Sequence, residues 1–301
     1  MTRSDARLAA MEVVLHAGVH GTEADRLIKG LLRNADLLHA AAVAVPGPAR
    51  YRRSLRDALQ ALSDQPPDPG ARDTLLQQIL DHETPGRLIL SNENFFCVPK
   101  LAVSRGQFYP RAESKLADFR EFFAPDRIEL FLAIRNPVTY LPDVFAASPH
   151  DSFAAFMEGT DPLTLRWSEL IDRIRHTLPD IGLTIWCQED VPLIWGEVMR
   201  RMGDLSEDEE ILGEFDILQD IMSPEGLTRF AGYLADHPDL TGDQRRRAAA
   251  AFLDKFAVDE AMEEELVGPD WDELTVDLLT ELYEDDLEEI SQMPGVRMIT
   301  P

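Results

Sequence analysis

Gly18, His20 and Thr22 in "LHAGVHGTEADRL" (15–27), Glu93 closing "RLILSNE" (87–93) and Arg135 in "RIELFLAIRNP" (127–137) have the types and spacing to hold an anion or move a proton. The first stretch reads as an apolar strand running into Gly18, a tight loop, and a helix that starts at Thr22. Such a loop presents unbonded backbone N–H groups at the positive end of a helix dipole, where phosphate binders add a lysine and hydroxyls. Here Thr22 is the expected N-cap, with Asp25 three residues on as in a capping box. Glu23 and Asp25 fall in the first turn, where a negative charge is stabilised by ~0.3–1 kcal/mol. The loop is therefore either an anion site or a helix start whose own carboxylates take the anion's place and repel a phosphate. Arg135 offers a planar fork that meets phosphate oxygens bidentately, or equally a turn with a surface ion pair. Glu93 stands where a strand-end carboxylate serves a site, caps a helix or pairs in the core. His16 and His20 share a strand face, but two histidines without fixed carboxylates do not make a metal site.

Five short apolar, β-branched segments would position these residues: 12–19, 41–47, 87–93, 127–137 and 183–190. Between them lie helical periodicities, such as Leu27, Leu31 and Leu32, Leu116, Phe119 and Phe123, and Leu165, Ile171 and Ile174. Near-continuous apolar strands alternating with helices predict a parallel sheet covered on both faces. Past residue 205 the pattern changes to four amphipathic helices, over 206–222, 226–238, 241–257 and 271–290, punctuated by Pro224, Pro238 and Pro269. "GVRMITP" (295–301) reads as a short extended edge, and "QPPDPG" (65–70) as a surface loop.

The chain has 301 residues, 45% of them hydrophobic, enough for a sizeable core. Its net charge of −26 is unevenly placed. Residues 1–200 carry 27 acidic and 22 basic side chains and residues 201–301 carry 28 and 7, so the two parts stand near −5 and −21. That field disfavours nucleic acid and anionic membrane surfaces. It gives solubility, or a docking face for a basic protein partner in the acidic C-terminal region. Cys97 and Cys187 are far apart and imply neither a disulfide framework nor a metal site, which is the pattern of a reducing compartment. No run approaches the ~18 apolar residues of a membrane helix, so a soluble cytoplasmic protein is expected. No Gly-x-Ser-x-Gly elbow is present for a hydrolase nucleophile. Trp167, Trp186, Trp195 and Trp271 read as core or junction anchors. Arg245, Arg246 and Arg247 read as internal ion pairs of the acidic region, with a phosphate contact from Arg245 or Arg247 as the alternative.

Three segments, "VVLHAGVHGTEADRL", "FLAIRNPVTYLPDVF" and "LTIWCQEDVPLIW", resemble in order and spacing landmarks of the sulfotransferase family over roughly residues 10–200. The likeness is to divergent bacterial members that begin with an "LHxGxHxT" strand and loop. The resemblance implies a P-loop-type three-layer α/β/α fold and transfer of a sulfuryl group from 3′-phosphoadenosine 5′-phosphosulfate to a hydroxyl or amine of a small-molecule acceptor, with no metal. It implies that Gly18, Gly21 and Thr22 lie along the phosphosulfate loop, with Gly21 at the family's cationic position. Arg135 would grip the 3′-phosphate, and Asp143 stands where the family has a partner serine. Glu93, or His20, would be the general base toward the acceptor, and Glu189-Asp190 matches a structural turn. The expected organisation is a core over 1–204 and an acidic helical subdomain over 205–301, packed on the core. Two functions follow: a sulfotransferase-like transferase or nucleotide-phosphate binder, and a catalytically silent homologue acting as a binding or protein-interaction module.

Overall fold

The computed structural model of the chain describes residues 8–62, 68, 70–80, 84–262 and 271–301. The loop expected at 65–70 and the break expected at Pro269 lie largely or wholly outside them.

All five expected strands are present, and a sixth joins them. The main sheet contains β1 (Glu12–His16), β2 (Val43–Ala44), β3 (Arg87–Ser91), β6 (Arg127–Ile134), β7 (Gly182–Cys187) and β8 (Val296–Ile299), in the order β2-β3-β1-β6-β7-β8. Every pairing is parallel, with His16 of β1 level with Ser91 and Phe131. The short strands β4 (Val103–Ser104) and β5 (Gln107–Phe108) form a separate antiparallel hairpin. The period-two alternation of side chains divides the core into two layers. Val13, Leu15, Leu88, Leu90, Leu130 and Leu132 face one cluster. Val14, Ile89, Phe131, Ala133 and Trp186 face the other. Helices Arg52–Ala61, Ala112–Phe122 and Trp167–Thr177 supply apolar residues to the first cluster, and helices Ala24–Arg33 and Val191–Gly203 to the second. The result is a three-layer α/β fold.

Ion pairs close the amino-terminal pole of the sheet. Arg87, nearly buried, binds Glu129 at 2.8 Å and pairs with Glu12, while its Nε–H donates to the Met202 carbonyl at 2.8 Å. Thr184 and Arg297 complete the shell around Glu129. Charges buried this far persist only when paired and hydrogen-bonded. The loops that could hold a ligand are at the opposite, carboxyl pole.

The acidic C-terminal region packs in two places. The segment 206–222 is not one helix: it is a run of turns ending in the short helix Leu218–Ile221. Gly213 has a φ of +81°, and acidic side chains are drawn to arginines of the core: Arg33 pairs with Asp216, Arg26 with Asp220, and Arg200 with Glu214 at 2.7 Å. Helices Pro224–Asp236 and Gly242–Phe256 pack on each other over a small core of their own around Phe230 and Ala249. By contrast, helix Glu273–Ser291 and β8 belong to the main sheet and its cover. The Asp286 carboxylate accepts the N–H groups of Trp167 and Ser168 at 2.5 and 3.1 Å, capping helix Trp167–Thr177 from outside. Trp167, Trp186 and Trp195 are buried, and Trp271 packs edge-on against Phe153. Among the described residues no helix is long and apolar enough to cross a membrane.

Candidate functional site

In parallel sheets ligands sit beyond the carboxyl ends of the strands, where the strand order reverses. Here β1 is that point, because the chain leaves it first toward β3 and β2 and later toward β6. The loop that follows is held rigidly. Ala17 and Val19 donate N–H bonds to the Phe131 and Ala133 carbonyls at 3.2 and 3.0 Å, and the Gly18 carbonyl accepts from Ala133 N–H at 2.7 Å. Gly18 has a φ of +90°, and a Cβ there would lie 3.2–3.3 Å from His20 N and from Glu93 Cα and Cβ. Both backbone angle and space therefore require glycine.

The helix start differs from its expected form. Thr22 is not the N-cap: its hydroxyl is buried and donates back to the Val19 carbonyl at 2.6 Å. The N-cap is Glu23, in a left-handed conformation (φ 58°), and no side chain caps the first turn. The Thr22/Asp25 capping box is thus absent, because the positive φ of Gly21 and Glu23 turns the chain so that Thr22 closes the loop instead. Asp25, 75% exposed, pairs with Arg52 at 3.3 Å.

His20 is buried and both ring nitrogens are engaged. The Tyr109 hydroxyl accepts the His20 backbone N–H at 3.0 Å, accepts the Tyr140 hydroxyl at 2.9 Å, and donates to His20 Nδ1 at 2.7 Å. With one proton and two lone pairs, that oxygen is fully used. His20 Nε2 then carries the ring proton and donates to the Cys97 carbonyl at 3.1 Å, with Asn94 Oδ1 at 3.4 Å. Burial lowers the His20 pKa, against the opposing influences of the Glu93 charge and the Asn94 and Cys97 bonds. Burial raises Tyr109 and Tyr140. The geometry makes His20 a neutral post holding the loop on the turn after β5. His16, fully buried, bonds Ser91 Oγ at 2.8 Å and stacks on Trp186, and burial holds its pKa down to about 3.

Glu93 lies beside Gly18, half-buried, and its carboxylate has no hydrogen bond or ion pair among the described residues. Arg135 also arrives at the loop, with Nη1 3.4 Å from the Gly21 carbonyl. The same Nη1 binds the Asp143 carboxylate at 2.5 Å. The side chain of Arg135 is 8% exposed and that of Asp143 56%, so Asp143 lies on the solvent side of the pair. Asn136 anchors the turn: it caps helix Pro137–Ala146 through Val138 N–H at 3.0 Å and gives its own N–H to Glu189 at 2.7 Å. The Tyr283 hydroxyl donates to the same carboxylate at 2.9 Å, tying the C-terminal helix to this corner.

The phosphosulfate group implied by the resemblance does not fit this donor set. The loop from Gly18 to Glu23 contains no cation, the Thr22 hydroxyl is spent on Val19, and Arg135 already faces a carboxylate. Among the described residues no cluster of three or more His, Cys, Asp or Glu could hold a metal ion. Arg26 and Arg33 bind the acidic segment, and Arg245 binds Glu214 at 3.1 Å, away from the loop. Tyr109 and Tyr140 were not singled out by sequence reasoning, since a tyrosine in "QFYP" follows no pattern that announces a histidine 89 positions earlier. Arg52 was also missed, although Leu55 and Leu59 beside "YRRS" signal a helix with arginines on its outer side. No protein-family model matches the chain, and no curated protein matches it.

Proposed function

We propose that this chain is a binding module on a sulfotransferase-like scaffold and does not transfer a sulfuryl group. The observation that carries this reading is the Arg135–Asp143 pair. The arginine in the position for a phosphate is met by the protein's own carboxylate, eight residues on, where an ionised side chain cannot donate to an anion. The missing loop cation and the fully bonded His20 act in the same direction. The strand order and the rigid loop after β1 support the scaffold, since such a sheet places its ligand loops there.

One observation favours the transferase reading instead. Glu93 is a half-buried carboxylate without a partner among the described residues, next to Gly18, which is where a general base toward an acceptor would stand. Incubation with 3′-phosphoadenosine 5′-phosphosulfate and hydroxyl or amine acceptors separates the two. The expected result is release of adenosine 3′,5′-bisphosphate no faster than without protein. Release above that background, lost in Glu93→Gln, would replace the binding reading with the transferase one.

A further inference from the structure

A cleft of about 750 Å³ opens between helix Arg52–Ala61 and the turn after β3. Its floor is apolar: Leu55, Leu59, Phe95, Phe96 and Phe119 are all buried side chains that reach it. Its rim is cationic: Arg52, Arg53, Arg56 and Lys115 line it, and among the described residues no acidic side chain does. In a chain with 55 acidic residues against 29 basic, four cations around one apolar hollow are a local inversion of the overall field.

Arg52 is the fixed member. Its Nε–H donates to the Ser91 carbonyl at 3.1 Å, at the carboxyl end of β3, which holds the guanidinium at the mouth. The other end of the fork reaches Asp25 at 3.3 Å. Among the described residues Arg53 and Arg56 meet only Asp57, which is 56% exposed, at 3.8 and 3.2 Å, and Lys115 meets Asp118 at 2.9 Å. The solvent-facing Arg53 and Arg56 pairs contribute little and yield readily to a better-placed anion. Cavities of this size accommodate a drug-sized molecule, whose apolar surface is buried while a few polar groups orient it.

We infer that this cleft binds an organic anion with an apolar aryl or acyl body, its oxyanion held by Arg52 and Lys115 and its body lying on the Phe95–Phe96–Phe119 floor. The cleft meets the loop region through Asn94 and through the Arg52–Asp25 pair, but Gly18, Gly21, Thr22 and Arg135 do not line it, so the inference goes beyond the reading of the loop and is tested separately from nucleotide binding.

Calorimetric titration tests it with naphthalene-2-sulfonate, decanoate, the neutral 2-naphthol, and inorganic sulfate. At least one of the two organic anions should bind saturably, one per chain. The tighter of them identifies the body as aryl or acyl. Naphthalene-2-sulfonate should bind more tightly than 2-naphthol by about tenfold or more, and sulfate alone should not compete. Arg52→Met and Lys115→Met should each weaken the anion and leave 2-naphthol unchanged, while Val98→Trp, at an exposed position on the rim, should exclude both. Lys115→Met guards against a folding defect in the Arg52 variant, because among the described residues Lys115 makes one local, half-buried pair, with Asp118 three residues on, and holds no strand end. Equal affinity for sulfonate and naphthol, no saturable binding of either anion, or anion binding untouched in both cationic variants would overturn the inference.

Discussion

A single tyrosine hydroxyl decides how His20 can be read. Tyr109 takes the His20 N–H and the Tyr140 O–H and gives its own proton to Nδ1, so each of three buried polar groups depends on it. Tyr109→Phe would leave them without that partner, and an unsatisfied buried group costs ~1–3 kcal/mol. The expected loss is of that size or larger, read as a lower midpoint in denaturant; an unchanged midpoint would show that the hydroxyl does not hold the loop. His16 gives a pH signature at the same scale. Burial, with the Arg52 charge adding to it, holds its folded pKa to about 3, against an ordinary value of about 6.5 when unfolded. Folding thus disfavours the proton. The contribution of neutral His16 is complete above about pH 6.5 and is lost as the pH falls toward 3, by at most ~1.4 kcal/mol per pH unit. His20 acts in the same direction, whereas Glu189, Asp190 and Asp286, raised by burial, act in the opposite one. The difference between the native chain and His16→Asn removes those contributions. From about pH 6.5 down to about 4 the native chain should lose stability more steeply than the variant, and parallel curves would count against the assignment.

The elements were legible in proportion to how local their causes are. Each main strand but the last is a β-branched or aliphatic run buried on both faces, so "EVVLH" and "RIELFLAI" announced β1 and β6 without help from elsewhere in the chain. "GVRMITP" was legible only as an extended edge; its pairing with β7 rests on contacts more than 100 residues away. The segment 206–222 misled because Ile211, Phe215, Leu218 and Met222 fall near a helical period, while what shapes it is ion pairing to Arg26, Arg33 and Arg200, distant partners that periodicity does not encode. At the candidate site, Gly18, Thr22, Glu93 and Arg135 could be named because short motifs carry them, yet the bonds that restrain Thr22 and Arg135 were not readable from those motifs. Asp286 shows the same dependence on distant partners, since it caps helix Trp167–Thr177 from 118 residues downstream. Asp286→Ala should cost ~1–2 kcal/mol, as loss of a cap does, and should speed amide exchange at Trp167 and Ser168. Unchanged exchange at those two amides would show that the C-terminal helix does not cap the other.

For the whole molecule, the two poles of the sheet have different roles. The amino pole is sealed by Arg87, Glu12, Glu129 and Arg297, and the carboxyl pole carries the loop, the Arg135–Asp143 pair and the cationic cleft. A net charge of −26 surrounds both, so an anionic ligand must find local cations, and at the loop Arg135 already faces a carboxylate. The most direct test is a calorimetric titration of the native chain with adenosine 3′,5′-bisphosphate. A ligand that binds only the folded state would raise its stability by about 2.7 kcal/mol at a hundredfold excess over Kd, so thermal unfolding provides a second readout. The expected result is no saturable heat and no shift up to millimolar ligand. Saturable binding that disappears in Arg135→Ala would contradict it, and would make the loop a working phosphate site despite Asp143.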